Sequence, residues 1–159
     1  MCMDRKIVII ADRDWIGESD MREIIFKAKR KDNGEWVEGY YLNIAKINHF
    51  ICTGKIKLDG AVKGIIAPEM YEINPDTICQ FTGLTDKNGK KIWENDILKA
   101  NLDESYTEDI TYIKILWNEY RFCVHENYST DIDALEKCDA EHFQVCGNIF
   151  DNADLLEVE

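Results

Sequence analysis

The sequence predicts a mainly β protein, either a small SH3-like barrel or a pair of packed antiparallel sheets with one or two short helices. Three observations point there. Apolar residues alternate with a period of two through several short segments. Asn-Gly turn signals fall between such segments, at Asn33-Gly34 and Asn88-Gly89. Aromatic residues are spread among the segments, as the anchors of packed β layers are.

The elements follow in order. Residues 1–20 are set apart: Ile7–Ile10 could form a buried strand, but 12–20 are polar and irregular, so the stretch is expected to be an extension. Arg22–Lys31 reads as a strand, with Ile24, Phe26 and Ala28 on one face and Ile25, Lys27 and Lys29 on the other. Asp32-Asn33-Gly34 turns the chain, and Glu35–Leu42 returns with Trp36 and Tyr40 as core anchors. Further strands are expected at Lys46–Cys52, Lys55–Leu58 and Ala61–Ile66, with a short ambiguous segment at Glu69–Ile73. Thr77–Leu84 and Lys90–Ala100 form the best-marked hairpin, closed through Asn88-Gly89. Its core side should carry Phe81, Leu84, Ile92, Trp93 and Ile97. Ile110–Trp117 places Ile113, Ile115 and Trp117 on one face. Asn118-Glu119 turns into a strand with Tyr120, Phe122 and Val124. Asp131–Cys138 is expected to be a short helix capped by Asp131 or Asp133, and Phe143–Phe150 a last strand. Asp151–Glu157 adds a helical turn. The main domain is expected over residues 21–156, with 21–85 and 86–156 as two packed lobes within it.

Composition narrows the class. With 159 residues, 45% hydrophobic and 31% charged, the chain can bury a core without disulfides or metal. No apolar run nears the ~20 residues of a membrane helix, and the opening residues do not form a signal peptide. A cytoplasmic location is expected, with no membrane partner. The six cysteines contain no C-x-x-C pair and read as small buried residues rather than a disulfide framework. Residues 1–100 carry 16 Lys and Arg against 16 Asp and Glu, whereas residues 101–159 carry 3 against 15. The whole net charge of −12 therefore lies in the last third, which repels phosphate backbones and attracts basic surfaces.

The stretch Pro75-Asp76-Thr77-Ile78-Cys79-Gln80-Phe81-Thr82-Gly83-Leu84 leads into Asp86-Lys87-Asn88-Gly89-Lys90 and Ile92-Trp93-Glu94-Asn95-Asp96-Ile97. This run resembles the signature of the YopX family of phages and prophages of low-GC Gram-positive bacteria. Met21–Ala28, followed by Trp36, Gly39 and Tyr40, resembles that family's opening, and Val145–Asn152 with Leu155-Leu156 resembles its close. Asn95 stands where the family usually has Gly, and Asn accepts the positive φ such a turn needs. The resemblance implies a mostly β fold and a phage context, and it brings no catalytic residues or cofactor.

Each group of residues capable of chemistry also has a plainer role. Cys138-x-x-x-His142-x-x-x-Cys146 has metal-like spacing, but Gly147 and the β-like run around it interrupt any shared helical face, so two core cysteines and a surface histidine are the simpler reading. The acidic pairs Asp103-Glu104 and Glu108-Asp109 around Tyr106 fit a solvated loop. Glu94-Asn95-Asp96 is expected to cap backbone N–H groups where the strand bends. Lys27, Lys29, Arg30 and Lys31 form a basic patch beside Trp36, Tyr40 and Tyr41, with Lys87, Lys90 and Lys91 on the neighbouring hairpin. Such a patch can hold single-stranded nucleic acid by charge and stacking, or simply protect an edge strand. No set of residues completes a catalytic constellation or calls for a cofactor. The expected function is that of a phage accessory protein that acts through contacts with a host or phage protein. A nucleic-acid-binding barrel is the alternative, and exposed β edges leave a homo-oligomer open.

Overall fold

A computed structural model describes residues 23–53, 69–101, 110–126 and 129–157 of the chain. The extension 1–20, the strands expected at Lys55–Leu58 and Ala61–Ile66, and the acidic loop Asp103–Asp109 lie outside the described residues.

Two antiparallel sheets make up the fold. The strands are β1 (Phe26–Lys29), β2 (Trp36–Ile44), β3 (Asn48–Thr53), β4 (Glu69–Glu72), β5 (Cys79–Thr85), β6 (Lys91–Trp93), β7 (Asp96–Asn101), β8 (Ile110–Asn118), β9 (Arg121–Glu126), β10 (Asp133–Ala134) and β11 (Gln144–Asn148). The first sheet runs β4-β3-β2-β1-β5-β6 and the second β10-β9-β8-β7-β11. Neither order closes on itself, so of the two expected architectures the packed sheets are found and the barrel is not. One short helix, α1 (Lys137–Ala140), and two 3-10 turns complete the described structure.

The passage between sheets falls in the middle of the expected strand Lys90–Ala100. Trp93 ends the first sheet and Asp96 starts the second. Asn95 sits between them at φ 65°, the left-handed conformation that its short polar side chain tolerates. Its N–H donates to the Ile115 carbonyl, and its own carbonyl accepts from Ile149 N–H, so both backbone groups of the corner are satisfied. Asp96 Oδ2 accepts the Trp93 N–H at 2.9 Å, which is the capping expected of this acidic triplet.

The main core spans the sheets. Ile92 of β6 packs with Leu98, Ala100, Ile113, Ile115 and Phe122, and Leu84 of β5 lies against them. A second cluster joins Ile25, Cys79 and Trp93 with Trp36, Phe81 and Phe150. A third lies on the other face of β1, around Ala28, Ile51 and Ile73. Both faces of β1 are thus covered, and β1 lies between β2 and β5, so its lysines do not protect an edge strand. Gly39 permits the close β2–β3 approach, since a Cβ there would stand 2.2 Å from the Cys52 carbonyl oxygen.

Four local expectations are corrected. Tyr40 is 49% exposed rather than a core anchor; its neighbour Tyr41 packs inward beside Phe26 and His49. The helix expected over Asp131–Cys138 does not form there. Asp133 and Ala134 instead pair with Val124 and Cys123, Leu135 N–H donates to the Phe122 carbonyl, and the helix begins at Lys137. The open edge of β9 offers partners that an isolated eight-residue helical pattern cannot match. The strand expected over Lys90–Ala100 is divided at Asn95, as described. Finally, the turn after β8 is Glu119-Tyr120, because Asn118 is paired with Arg121.

Candidate functional site

The basic patch of β1 is spent on internal ion pairs. Lys27 Nζ lies 2.6 Å from Asp96 Oδ1, and it also sits 5.0 Å from the Trp36 ring and 5.5 Å from the Trp93 ring. Lys29 pairs with Asp151, Arg30 with Asp32 and Lys31 with Glu72. Arg30 also stacks 4.2 Å from the centre of Tyr71. On the adjoining hairpin, Lys91 Nζ is 2.7 Å from Glu38. Trp36 is half-buried against Phe150, and its Nε1–H donates to Asp151 at 2.8 Å. Tyr40 stands apart from this network, with its hydroxyl 3.4 Å from Glu23. The structure therefore splits the patch: Lys27 and Lys29 gather at Trp36, whereas Arg30 and Lys31 lie with Asp32, Tyr71 and Glu72, and each of these cations, like the Trp36 indole, is held by a carboxylate.

Asp151 ties the end of the chain to β1 and β2. The Lys29 ammonium, outweighing burial and helped by Asn148 and Trp36, lowers its carboxyl to about 2. A carboxyl lowered in the folded state stabilises above its unfolded value of 3.8 and loses that effect as pH falls through the folded one. The Trp36 indole N–H resonance should hold its position through pH 3.8 and shift only toward pH 2. A midpoint near the ordinary carboxylate value would disprove the arrangement.

The metal-like set does not assemble. Among the described residues, the group with ligand atoms within 4.8 Å of one another is Glu136, Cys138 and Asp139; Glu136 and Cys138 are exposed, so Cys138 is not the core cysteine expected. His142 Nδ1 faces the Cys138 carbonyl at 2.7 Å, so that nitrogen carries the proton and donates. Cys146 Sγ–H donates to the Ile97 carbonyl at 3.2 Å, on the β11 side of the second sheet. Burial pushes the Cys79 thiol up to about 11 and raises that of Cys146, which is opposite to what a thiolate nucleophile needs. All five described cysteines are free thiols.

An unexpected feature lies at the other end of the second sheet. The β8–β9 hairpin closes through Glu119 and Tyr120, at φ 47° and 69°. Two consecutive left-handed residues match the twist of a tight hairpin, but Asn or Gly normally occupies them. A non-glycine residue costs about 1–2 kcal/mol in that conformation. The turn holds Tyr120 out at 93% exposure. Beside it, Trp117 is 46% exposed and meets the edge of Phe122 with ring centres 4.8 Å apart. An open groove of about 390 Å³ adjoins this tip. Leu84, Phe122 and Leu135 line its floor, Trp117 and Tyr120 its wall, and Arg121 and Lys137 its polar side. Asn118-Glu119 marks a turn one residue early, and alternation then puts Tyr120 in the following strand, so the sequence signals the turn but not the exposed Tyr120 at its tip.

Among the described residues, no helix is long and apolar enough to cross a membrane. The family model described as "YopX protein" matches residues 25–157 of the chain. Among solved structures, protein EF1440 from Enterococcus faecalis is similar, at 24% identity and a TM-score of 0.53, over 86% of this chain and 99% of that one. That likeness concerns the fold. No curated protein matches the chain.

Proposed function

Because the chain belongs to the YopX family, we propose that it is a non-enzymatic phage or prophage accessory protein, working in the bacterial cytoplasm by gripping a host or phage protein. The observation that carries this reading is the β8–β9 tip. Trp, Tyr and Arg are the side chains that dominate protein interfaces, and Trp117, Tyr120 and Arg121 converge here beside an apolar groove. The turn closes the hairpin, but Glu119 and Tyr120 are costly residues for it, and placing a large aromatic side chain at 93% exposure adds nothing to the core, so the choice of residues favours a contact role.

The nucleic-acid alternative draws less support. A phosphate approaching the β1 patch would have to displace Asp96, Asp151, Asp32 or Glu72 from its cation. The net charge of −12 opposes the approach as well. The test is capture from a Gram-positive host lysate with the full chain, with and without nuclease treatment. A captured protein should survive nuclease and be lost from a Trp117→Ser, Tyr120→Ser variant. Loss on nuclease treatment, or a mobility shift of DNA or RNA at low salt, would reverse the preference.

A further inference from the structure

The charge around the groove runs against its surroundings. Residues 101–159 contain 3 Lys and Arg, namely Lys114, Arg121 and Lys137, against 15 Asp and Glu. Arg121 and Lys137 both line this groove, and among the described residues no carboxylate does. Glu119, Asp133 and Glu136 are neighbours in sequence but are not among its lining residues. In the ion pairs formed among the described residues, Lys27, Lys29, Arg30, Lys31 and Lys91 are engaged, whereas Arg121 and Lys137 enter none.

We infer that the groove takes a short peptide segment of the partner protein in which a large apolar side chain is flanked by one or two carboxylates. The inference rests on the protein-contact reading above and names what that contact recognises. The apolar side chain seats on Leu84, Phe122 and Leu135 between the Trp117 and Tyr120 rings, and the carboxylates meet Arg121 and Lys137. Arg121 offers a planar fork suited to a carboxylate, and Lys137 adds a point charge. The acidic surface around the groove shapes the choice further. Glu119, Asp133 and Glu136 adjoin lining residues in sequence, well inside a Debye length of about 10 Å at 0.1 M salt, so one or two carboxylates can pair with Arg121 and Lys137 while a long polyacidic run meets these acidic neighbours and is repelled.

The test is an array of short peptides probed with the labelled full chain. Each peptide has Trp, Leu or Ala at its centre and Asp, Asn or Lys at the flanks, with a poly-Glu tract as a control. Trp- and Leu-centred peptides with Asp flanks should be retained. Replacing Asp by Asn should weaken binding about ten-fold, the loss expected for a charged contact. Lys flanks, an Ala centre and poly-Glu should not bind. An Arg121→Glu, Lys137→Glu variant should reverse the flank preference toward Lys, with both changes at exposed positions and thermal unfolding confirming the fold. Indifference to flank charge, an unchanged preference in the reversed variant, or a blank array each overturns the inference. A blank array alongside nuclease-resistant capture through Trp117 and Tyr120 overturns this inference alone. Flank-selective binding without such capture counts against the protein-contact reading instead.

Discussion

Replacing Asp96 by Ala should destabilise the fold by about 3 kcal/mol, the low end of what breaking a buried ion pair costs. In a chain of this length that corresponds to a fall in melting temperature on the order of 10 °C. Asp96 is 1% exposed and has two tasks at the corner between the sheets. It accepts the Trp93 N–H, and it pairs with Lys27. The alanine variant leaves a buried N–H without an acceptor and an ammonium without its counter-charge between two indole rings. Asp96→Asn should cost less, about 1–2 kcal/mol, because its amide oxygen can still accept from Trp93. Adding Lys27→Met to Asp96→Asn should recover most of the loss, since replacing both charges removes the desolvation that the pair carries.

The titration of Asp96 supports that last step. Burial raises its carboxyl above 3.8, and the nearby Lys27 does not fully offset this. A carboxyl raised in the folded state contributes stability that is complete below its unfolded value and is lost as pH rises through the folded one. The ionised pair is therefore expected to add little net stability at neutral pH beyond its role in fixing β1 against β7. Urea unfolding of the three variants measures the order. The account fails if Asp96→Ala is no worse than Asp96→Asn.

The residues show which parts of this were legible. Period-two alternation located β8 and β9, and Asn88-Gly89 located the β5–β6 hairpin, because both signals act over neighbouring residues. The family signature around Asn95 anticipated its positive φ and the capping by Asp96. What alternation cannot report is a second layer. It puts Ile25, Lys27 and Lys29 on one face but cannot show that Trp36, Trp93 and Phe150 cover that face from elsewhere in the chain. Asp131–Cys138 departs from the expected helix for a related reason: the free edge of β9 overrides a weak local pattern. At the candidate site the residues Trp117, Tyr120, Arg121 and Lys137 were all visible as residues, but their convergence depends on where the β8–β9 turn falls. That turn breaks the usual residue preference, and a site that strains local rules hides from methods built on them.

Asp86 was visible only as a turn residue, yet its replacement should rival that of Asp96. Its carboxylate accepts three backbone N–H groups: Oδ1 takes Asn88 at 2.8 Å and Lys90 at 2.9 Å, and Oδ2 takes Val145 at 2.9 Å. The first two close the β5–β6 hairpin, and the third fastens it to β11 in the other sheet, 59 residues away. The Lys87 N–H, bonded to the Phe143 carbonyl, seconds that link. Asp86→Ala should cost about 3 kcal/mol, since hydrogen bonds to a charged group are worth about 1.5–3 kcal/mol each and do not add fully. Asp86→Asn should not rescue it, because an amide has one accepting oxygen, and its NH₂ would then face a backbone donor. The carboxyl sits below 3.8: burial works to raise it, but the Val145, Lys90 and Asn88 N–H groups and the nearby Lys90 ammonium prevail. Its contribution is thus present above pH 3.8 and is lost as pH falls through the folded value. Amide exchange at Val145 isolates the long-range bond. Faster exchange there in Asp86→Asn, with the hairpin amides Asn88 and Lys90 still protected, would place the loss at the junction between the sheets. Unchanged exchange at Val145, or an Asn variant as stable as the parent, would show that the carboxylate serves the turn alone.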